Sequence, residues 1–288
     1  MKILITGAYG QLGNEIKLLS AKFSDWQFLF TDADSLDISD EISVSDYFHQ
    51  YKPDFIINCA AYTAVDKAES DIENAKKVNE LAPKILAKYS KNYSTKFIHI
   101  STDYVFDGKG CVPYSEEDNV NPKSIYGKTK LQGEKNCFEE NAESIIIRTS
   151  WLYSSFGNNF VKTMLRLGSE RGQLNVVFDQ VGTPTYAADL ANSILDIIST
   201  ANKNTEKFVP GIYHYSNEGV ASWFDFAKAI FEISGVKCNV SPVLSVEFPT
   251  PAKRPDFSVL DKSKIKNTYG IQIPYWRDSL KICIQKLS

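Results

Sequence analysis

Short runs of β-branched and aromatic residues alternate with longer helical patterns through the first two-thirds of this chain, and few folds accept that alternation. Strand-like runs fall at Lys2–Thr6, Gln27–Thr31, Asp54–Cys59, Lys96–Ser101 and Glu143–Thr149. Each is nearly continuous in Ile, Val, Phe or Leu, as expected when helices cover both faces of a parallel sheet. Helical patterns lie between them at Gln11–Phe23, Ser43–Tyr51, Ile72–Lys91 and Ser124–Glu140. The reading is an α/β fold built on a doubly wound parallel sheet.

After Arg148 the pattern changes. Helices are expected near Asn159–Arg171, Ala187–Thr200, Ser222–Ser234 and Tyr275–Lys286. Short strands near Leu174–Phe178 and Gly211–Tyr215 are expected to extend the sheet. The stretch EFPTPAKRPDFSVL holds Pro249, Pro251 and Pro255, so it reads as an extended loop supporting a binding surface. Residues 1–150, with about 174–216, are assigned to a nucleotide-binding domain, and 151–173 with 217–288 to a smaller C-terminal substrate lobe. No repeat, low-complexity tract or Gly/Ser linker separates them, so the lobes are expected to pack tightly.

Composition narrows the partners. A formal net charge of −3 offers no electrostatic case for nucleic acid. The apolar runs are strand-length, so none is expected to span a membrane. The opening MKILITGAYG is too short and too glycine-rich for a signal peptide. Five scattered cysteines without a C-x-x-C pair point to reduced thiols in the cytoplasm rather than disulfides or zinc. Three dispersed histidines give no metal centre.

In ITGAYGQLGNEI, Gly7, Gly10 and Gly13 lie between the first strand and the first helix. Gly7 allows a tight turn, Gly10 lets backbone N–H groups approach a pyrophosphate, and Gly13 brings helix and strand close. The spacing G-x-x-G-x-x-G is one residue longer than the usual fingerprint, but its strand-to-helix context is the required one. The sheet is thus read as Rossmann-type. Asp32 ends the second strand, 19 residues after Gly13, where an acid accepts from an adenosine ribose and repels a 2′-phosphate. A plain turn residue is the alternative. No arginine lies between Phe28 and Ile42, which favours NADH slightly over NADPH.

The fourth strand runs into HISTDYVFDG, placing Thr102 and Asp103 at its carboxyl end, which in an open α/β sheet faces the ligand. A hydroxyl there suits a developing oxyanion, although STD also reads as a turn or cap. In SIYGKTKLQGEK, Tyr126 and Lys130 are one helical turn apart on one face. A glycine-rich first turn, a strand-end hydroxyl and Tyr-x-x-x-Lys, in that order, resemble the extended short-chain dehydrogenase/reductase family. The resemblance implies that Tyr126 is the acid protonating an alkoxide, and that Lys130 lowers the tyrosine pKa and contacts the nicotinamide ribose.

A narrower resemblance covers nearly the whole chain. TGAYGQLG, NCAAYTAVDKAE, ISTDYVFDG, IYGKTKLQGE, RTSWLY, NNFVKTML and PTPAKRP are similar to stretches of the dTDP-4-dehydrorhamnose reductase family. That family reduces the 4-keto group of dTDP-4-dehydro-β-L-rhamnose with NADH or NADPH, the last step of dTDP-L-rhamnose synthesis. The resemblance implies cofactor contacts from Gly10, Gln11, Leu12, Asp32, Asp37, Ile38, Ala61, Tyr62, Thr63, Tyr126 and Lys130. It implies contacts to the deoxysugar from Thr102, Asp103 and Trp151. Trp151 could equally be a core aromatic, Asn158 and Asn159 turn residues or nucleotide donors, and Arg254 a surface charge or a diphosphate ligand.

Members of that family are monomers or homodimers, some with Mg2+ held by carboxylates at the dimer contact. Glu15 matches one such position, but Ala188 stands where a second glutamate is expected and the terminal QKLS has no acid, so no metal is expected. Two other readings share these residues. Nucleotide-sugar epimerases and dehydratases keep Tyr-x-x-x-Lys, but dehydratases carry an acidic pair after the threonine where this chain has Asp103-Tyr104. A noncatalytic regulatory subunit could keep the cofactor pocket; the intact Thr102, Tyr126 and Lys130 favour an enzyme.

Overall fold

The computed structural model describes residues 1–287; Ser288, the end of the QKLS tail, lies outside the described residues. Lys2–Thr6 (β1), Gln27–Phe30 (β2), Phe55–Asn58 (β3), Lys96–Thr102 (β4), Ile145–Thr149 (β5) and Gly211–Tyr215 form one sheet. From one edge the order is Gly211–Tyr215, β5, β4, β3, β1, β2, with every pair parallel. The order reverses between β1 and β3, which opens a crevice beyond their carboxyl ends.

Alternation along each strand feeds two cores. Ile3, Ile5, Ile57, Ile98 and Ile147 face the helices Gln11–Ser20 and Ala187–Lys203. Leu4, Ile56, Phe97 and Ile146 face Glu41–Tyr51 and Ala82–Asn92. Every residue of β3 and β5 is buried, which is why these strands read as unbroken apolar runs. A third core, with Tyr153, Val161, Phe226, Ile230 and Leu280, belongs to the helices of the C-terminal part.

The expected extension of the sheet by Leu174–Phe178 does not occur. Gln173–Val177 pairs instead with Asn239–Val243 in a separate two-stranded parallel sheet. Leu174 and Val176 are buried while Gln173 and Asn175 are exposed, the alternation of a strand covered on one face only. Asn239–Val243 escaped the sequence reading because Pro242 sits within it.

The expected continuous helix Ile72–Lys91 is also broken. Ile72–Lys76 and Ala82–Asn92 are α-helical, and Lys77–Leu81 between them is a π-helical turn. Pro83 has no N–H to give the Asn79 carbonyl, so the ladder widens just before it. The carbonyl of Asn79 then presses on Gly133 of the helix Ile125–Glu140, where a Cβ would lie only 2.1 Å away.

Among the described residues no helix is long and apolar enough to cross a membrane, and all five cysteines are free.

Candidate active site

A cleft of about 770 Å3 lies over the carboxyl ends of β1, β3, β4 and β5. At one end Gly7 turns the chain with φ +63°, and a Cβ there would come 2.7 Å from the Ala60 backbone. Only glycine fits. Gly10 caps the helix Gln11–Ser20 with no side chain across its N-terminus and no acid in its first turn. This cradle and helix end suit a pyrophosphate. Gln11 and Leu12 line the cleft, whereas Gly13 lies behind it: its Cβ would meet Ala8 and the Gly7 carbonyl at 2.6 Å.

Asp32, Asp37 and Ile38 form the adjoining rim. Asp32 accepts from the backbone N–H of Tyr9 at 3.3 Å and of Ala33 at 2.8 Å. Hydrogen bonds from Ser39 hold the Asp37 carboxyl below its ordinary value, and Lys77 lies 3.4 Å away. Ala61 and Thr63 also line the cleft. Tyr62 does not: its hydroxyl donates to Asp71 at 2.9 Å. Asn79 instead clamps the Tyr62 backbone, accepting from its N–H at 2.9 Å and donating to its carbonyl at 3.2 Å. The same amide donates to Thr129, next to Lys130, at 3.1 Å. Sequence reasoning missed Asn79, which looked like an ordinary helical position.

Thr102, Asp103, Tyr126, Lys130 and Trp151 meet at the other end. Thr102 is both cap and cleft residue. Its hydroxyl accepts from the Tyr104 N–H at 3.2 Å and donates to Asp103 at 3.0 Å. Asp103 is buried, its second carboxylate oxygen has no partner, and burial pushes its carboxyl up to about 6.

Ser124 caps the Tyr126 helix by accepting from the Gly127 N–H at 3.1 Å. A Cβ on Gly127 would lie 2.3 Å from the Tyr104 carbonyl, so this glycine lets the helix seat against the turn after Thr102. The Tyr126 ring meets Tyr104 edge-on and is partly open to the cleft. Burial nevertheless pushes its phenol up to about 12; a Thr102 hydrogen bond opposes this, and the Asp103 charge adds to it. The expected lowering of this phenol by Lys130 is absent. Lys130 is almost wholly buried and donates from Nζ to the Ile100 carbonyl at 2.6 Å, so burial governs the phenol. Burial also pushes Lys130 down to about 8, against the opposing charge of Glu134.

Trp151 adopts φ +46°, a strained conformation for a bulky residue, and stacks on Trp223 with centroids 3.6 Å apart. Trp223 carried no signal in the sequence. Asn159 lines the cleft and caps the helix Phe160–Arg171, while its amide donates to Gln11 at 3.0 Å and to the Ser154 carbonyl at 2.7 Å. Asn158 lies beside it. Arg254 is not in the cleft wall: it pairs with Asp66 through two bonds of 3.1 and 2.7 Å, beside a smaller cavity shared with Lys123 and Lys253.

The residues near Glu15 do not fit a metal. Its buried carboxylate accepts from Ser154 at 2.6 Å and lies 3.7 Å from the Lys286 ammonium. No group of three His, Cys, Asp or Glu side chains among the described residues is placed to hold an ion.

The family model described as RmlD substrate binding domain matches residues 1–288. The chain is 42% identical over 287 residues to the dTDP-4-dehydrorhamnose reductase of Aggregatibacter actinomycetemcomitans, covering 97% of each. It superposes on the crystal structure of a dTDP-4-dehydrorhamnose reductase from Clostridium acetobutylicum with a TM-score of 0.94 and 46% identity, covering 100% of this chain and 99% of that one. The Bacillus anthracis dTDP-4-dehydrorhamnose reductase, solved in complex with NADP, gives a TM-score of 0.92 and 40% identity, covering 99% of both. The chain therefore belongs to the RmlD substrate binding domain family, that of the dTDP-4-dehydrorhamnose reductases.

Proposed function

We propose that this chain reduces the 4-keto group of dTDP-4-dehydro-β-L-rhamnose to give dTDP-L-rhamnose. The observation that carries this reading is one continuous cleft with an uncapped glycine turn at one end and Thr102, Tyr126 and Lys130 at the other. A reduced nicotinamide dinucleotide supplies the hydride. Gly7, Gly10, Gln11 and Leu12 hold its pyrophosphate, Asp32, Asp37 and Ile38 its adenosine side, and Ala61, Thr63 and Lys130 its nicotinamide side. The acidic rim, with Lys77 engaged by Asp37, favours NADH slightly over NADPH.

The Thr102 hydroxyl, once turned from Asp103, donates to the keto oxygen and strengthens that bond as charge develops. Tyr126 delivers the proton. A phenol pushed up to about 12 holds its proton firmly until a stronger base, the nascent alkoxide, stands beside it. Asp103 and Trp151 position the deoxysugar from the lobe side, and Asn159 fixes Gln11 so that both lobes close the same cleft. Arg254 reaches the nucleotide diphosphate only by leaving Asp66.

Oxidation of NADH or NADPH with dTDP-4-dehydrorhamnose made in situ by a 3,5-epimerase tests the assignment. Substrate-dependent oxidation yielding dTDP-rhamnose is expected. Tight cofactor binding with no oxidation would remove it.

A further inference from the structure

His99 lies on β4, three residues before Thr102, and is fully buried. Its ring nitrogens meet different partners: Nδ1 is 3.0 Å from Nδ2 of Asn58 on β3, and Nε2 is 3.2 Å from Nζ of Lys130. The Asn58 amide cannot be turned round. Its Oδ1 accepts from the backbone N–H of Ala60 at 3.2 Å and from the Thr6 hydroxyl at 2.7 Å, and a backbone N–H can only donate. Asn58 Nδ2 therefore donates, His99 Nδ1 accepts, and the neutral imidazole carries its single proton on Nε2. A second proton is disfavoured, because burial holds His99 well below its ordinary pKa.

An Nε2–H aimed at an ammonium sets two donors face to face. Aimed at a free-base amine it makes a hydrogen bond, while that amine still donates to the Ile100 carbonyl. We propose that the Asn58–His99 pair is a positioning device for Lys130, holding an Nε2–H donor against Nζ and favouring the free-base amine over the ammonium. The inference rests on the reading of Lys130 as part of the reductase site. On its own helix Tyr126 stands one turn before the lysine, Glu134 one turn after and Cys137 beyond, while Cys59 and Asp103 line the same cleft from other elements. Glu134 favours the ammonium, but its carboxylate is already held by two hydrogen bonds from Arg148 on β5, at 2.9 and 2.7 Å.

Side-chain 15N spectra of the wild-type enzyme read the tautomer of His99 directly, with His99→Gln identifying its signals. The Nε2–H form is expected, and the Nδ1–H form would overturn the proposal without any variant having to fold. The lysine 13Cε titration supplies the second test, with Lys130→Arg assigning the signal. In His99→Phe the midpoint of Lys130 is expected to rise by about one pH unit, the shift that one ordinary hydrogen bond gives. His99→Gln, whose amide nitrogen can take the place of Nε2, is expected to restore it. A midpoint in His99→Phe that stays put or falls would overturn the proposal. Both readouts are made without turnover, so a failed ketone reduction with the expected spectra would discard the reductase assignment and keep the pair.

Discussion

Tyr126 and Asp103 are both shifted by burial, with opposite practical results. A tyrosine pushed up keeps the proton it is proposed to donate. Tyr126→Phe is expected to lower kcat by about 10²–10⁴-fold while the cofactor dissociation constant, read by nicotinamide fluorescence, changes little; unchanged kcat would remove Tyr126 as the acid. Asp103 is a carboxyl raised to about 6 in the folded chain, above its unfolded value near 3.9. Its contribution to stability is thus full below about pH 4 and is lost as pH rises through about 6. Asp103→Asn should therefore be more stable than the wild type at about pH 8, by on the order of 2 kcal/mol, with the gain fading toward about pH 4. Urea unfolding at the two pH values measures this, and an equal gain at both would discard burial as the cause. The types and order of Thr102, Tyr126 and Lys130 were legible in the sequence. The partners that set their protonation were not, since His99, Asn58 and Glu134 reach Lys130 only through β3, β4 and the turns of its own helix.

At the scale of elements, the π-helical turn Lys77–Leu81 makes local irregularity useful: it places Asn79 to clamp the Tyr62 backbone and the Thr129 hydroxyl together. Asn79→Ala leaves those buried groups without partners. It should cost about 1–3 kcal/mol by denaturant midpoint and weaken cofactor binding several-fold more than it lowers kcat. Equal losses in both would mean that the clamp serves the fold alone. Pro83 was visible in the sequence, yet an apolar pattern on either side read as one helix, because side-chain periodicity is insensitive to a single widened turn. Gln173–Val177 shows the reverse case. Its alternating polar residues already marked a strand with one wet face, but its partner Asn239–Val243 lies more than sixty residues away in sequence.

Across the whole molecule, two ion pairs tie distant segments together. Lys286 and Ser154 reach back to Glu15 on the first helix, and Arg254 in the proline-rich loop grips Asp66 beside the cleft. The Asp66–Arg254 pair is partly exposed, with side chains 40% and 26% accessible, so its loss should cost no more than about 1 kcal/mol of stability. Asp66→Asn is instead expected to change KM for the nucleotide sugar several-fold with kcat nearly constant, since it frees the loop that carries Arg254. An unchanged KM in steady-state kinetics would make the pair purely structural. The sequence by itself determined the α/β class, the glycine turn and the order of Thr102, Tyr126 and Lys130 along the chain. Each follows from local chemistry: which residues bury both strand faces, which tolerate a left-handed turn, and which stand one helical turn apart. Only the tertiary structure decided that Lys130 faces His99, that Arg254 is held by Asp66 and that Trp151 stacks on Trp223. Those pairings depend on how β-strands and helices pack across long stretches of chain, and the burial that shifts Asp103, Tyr126 and Lys130 exists only once they have done so.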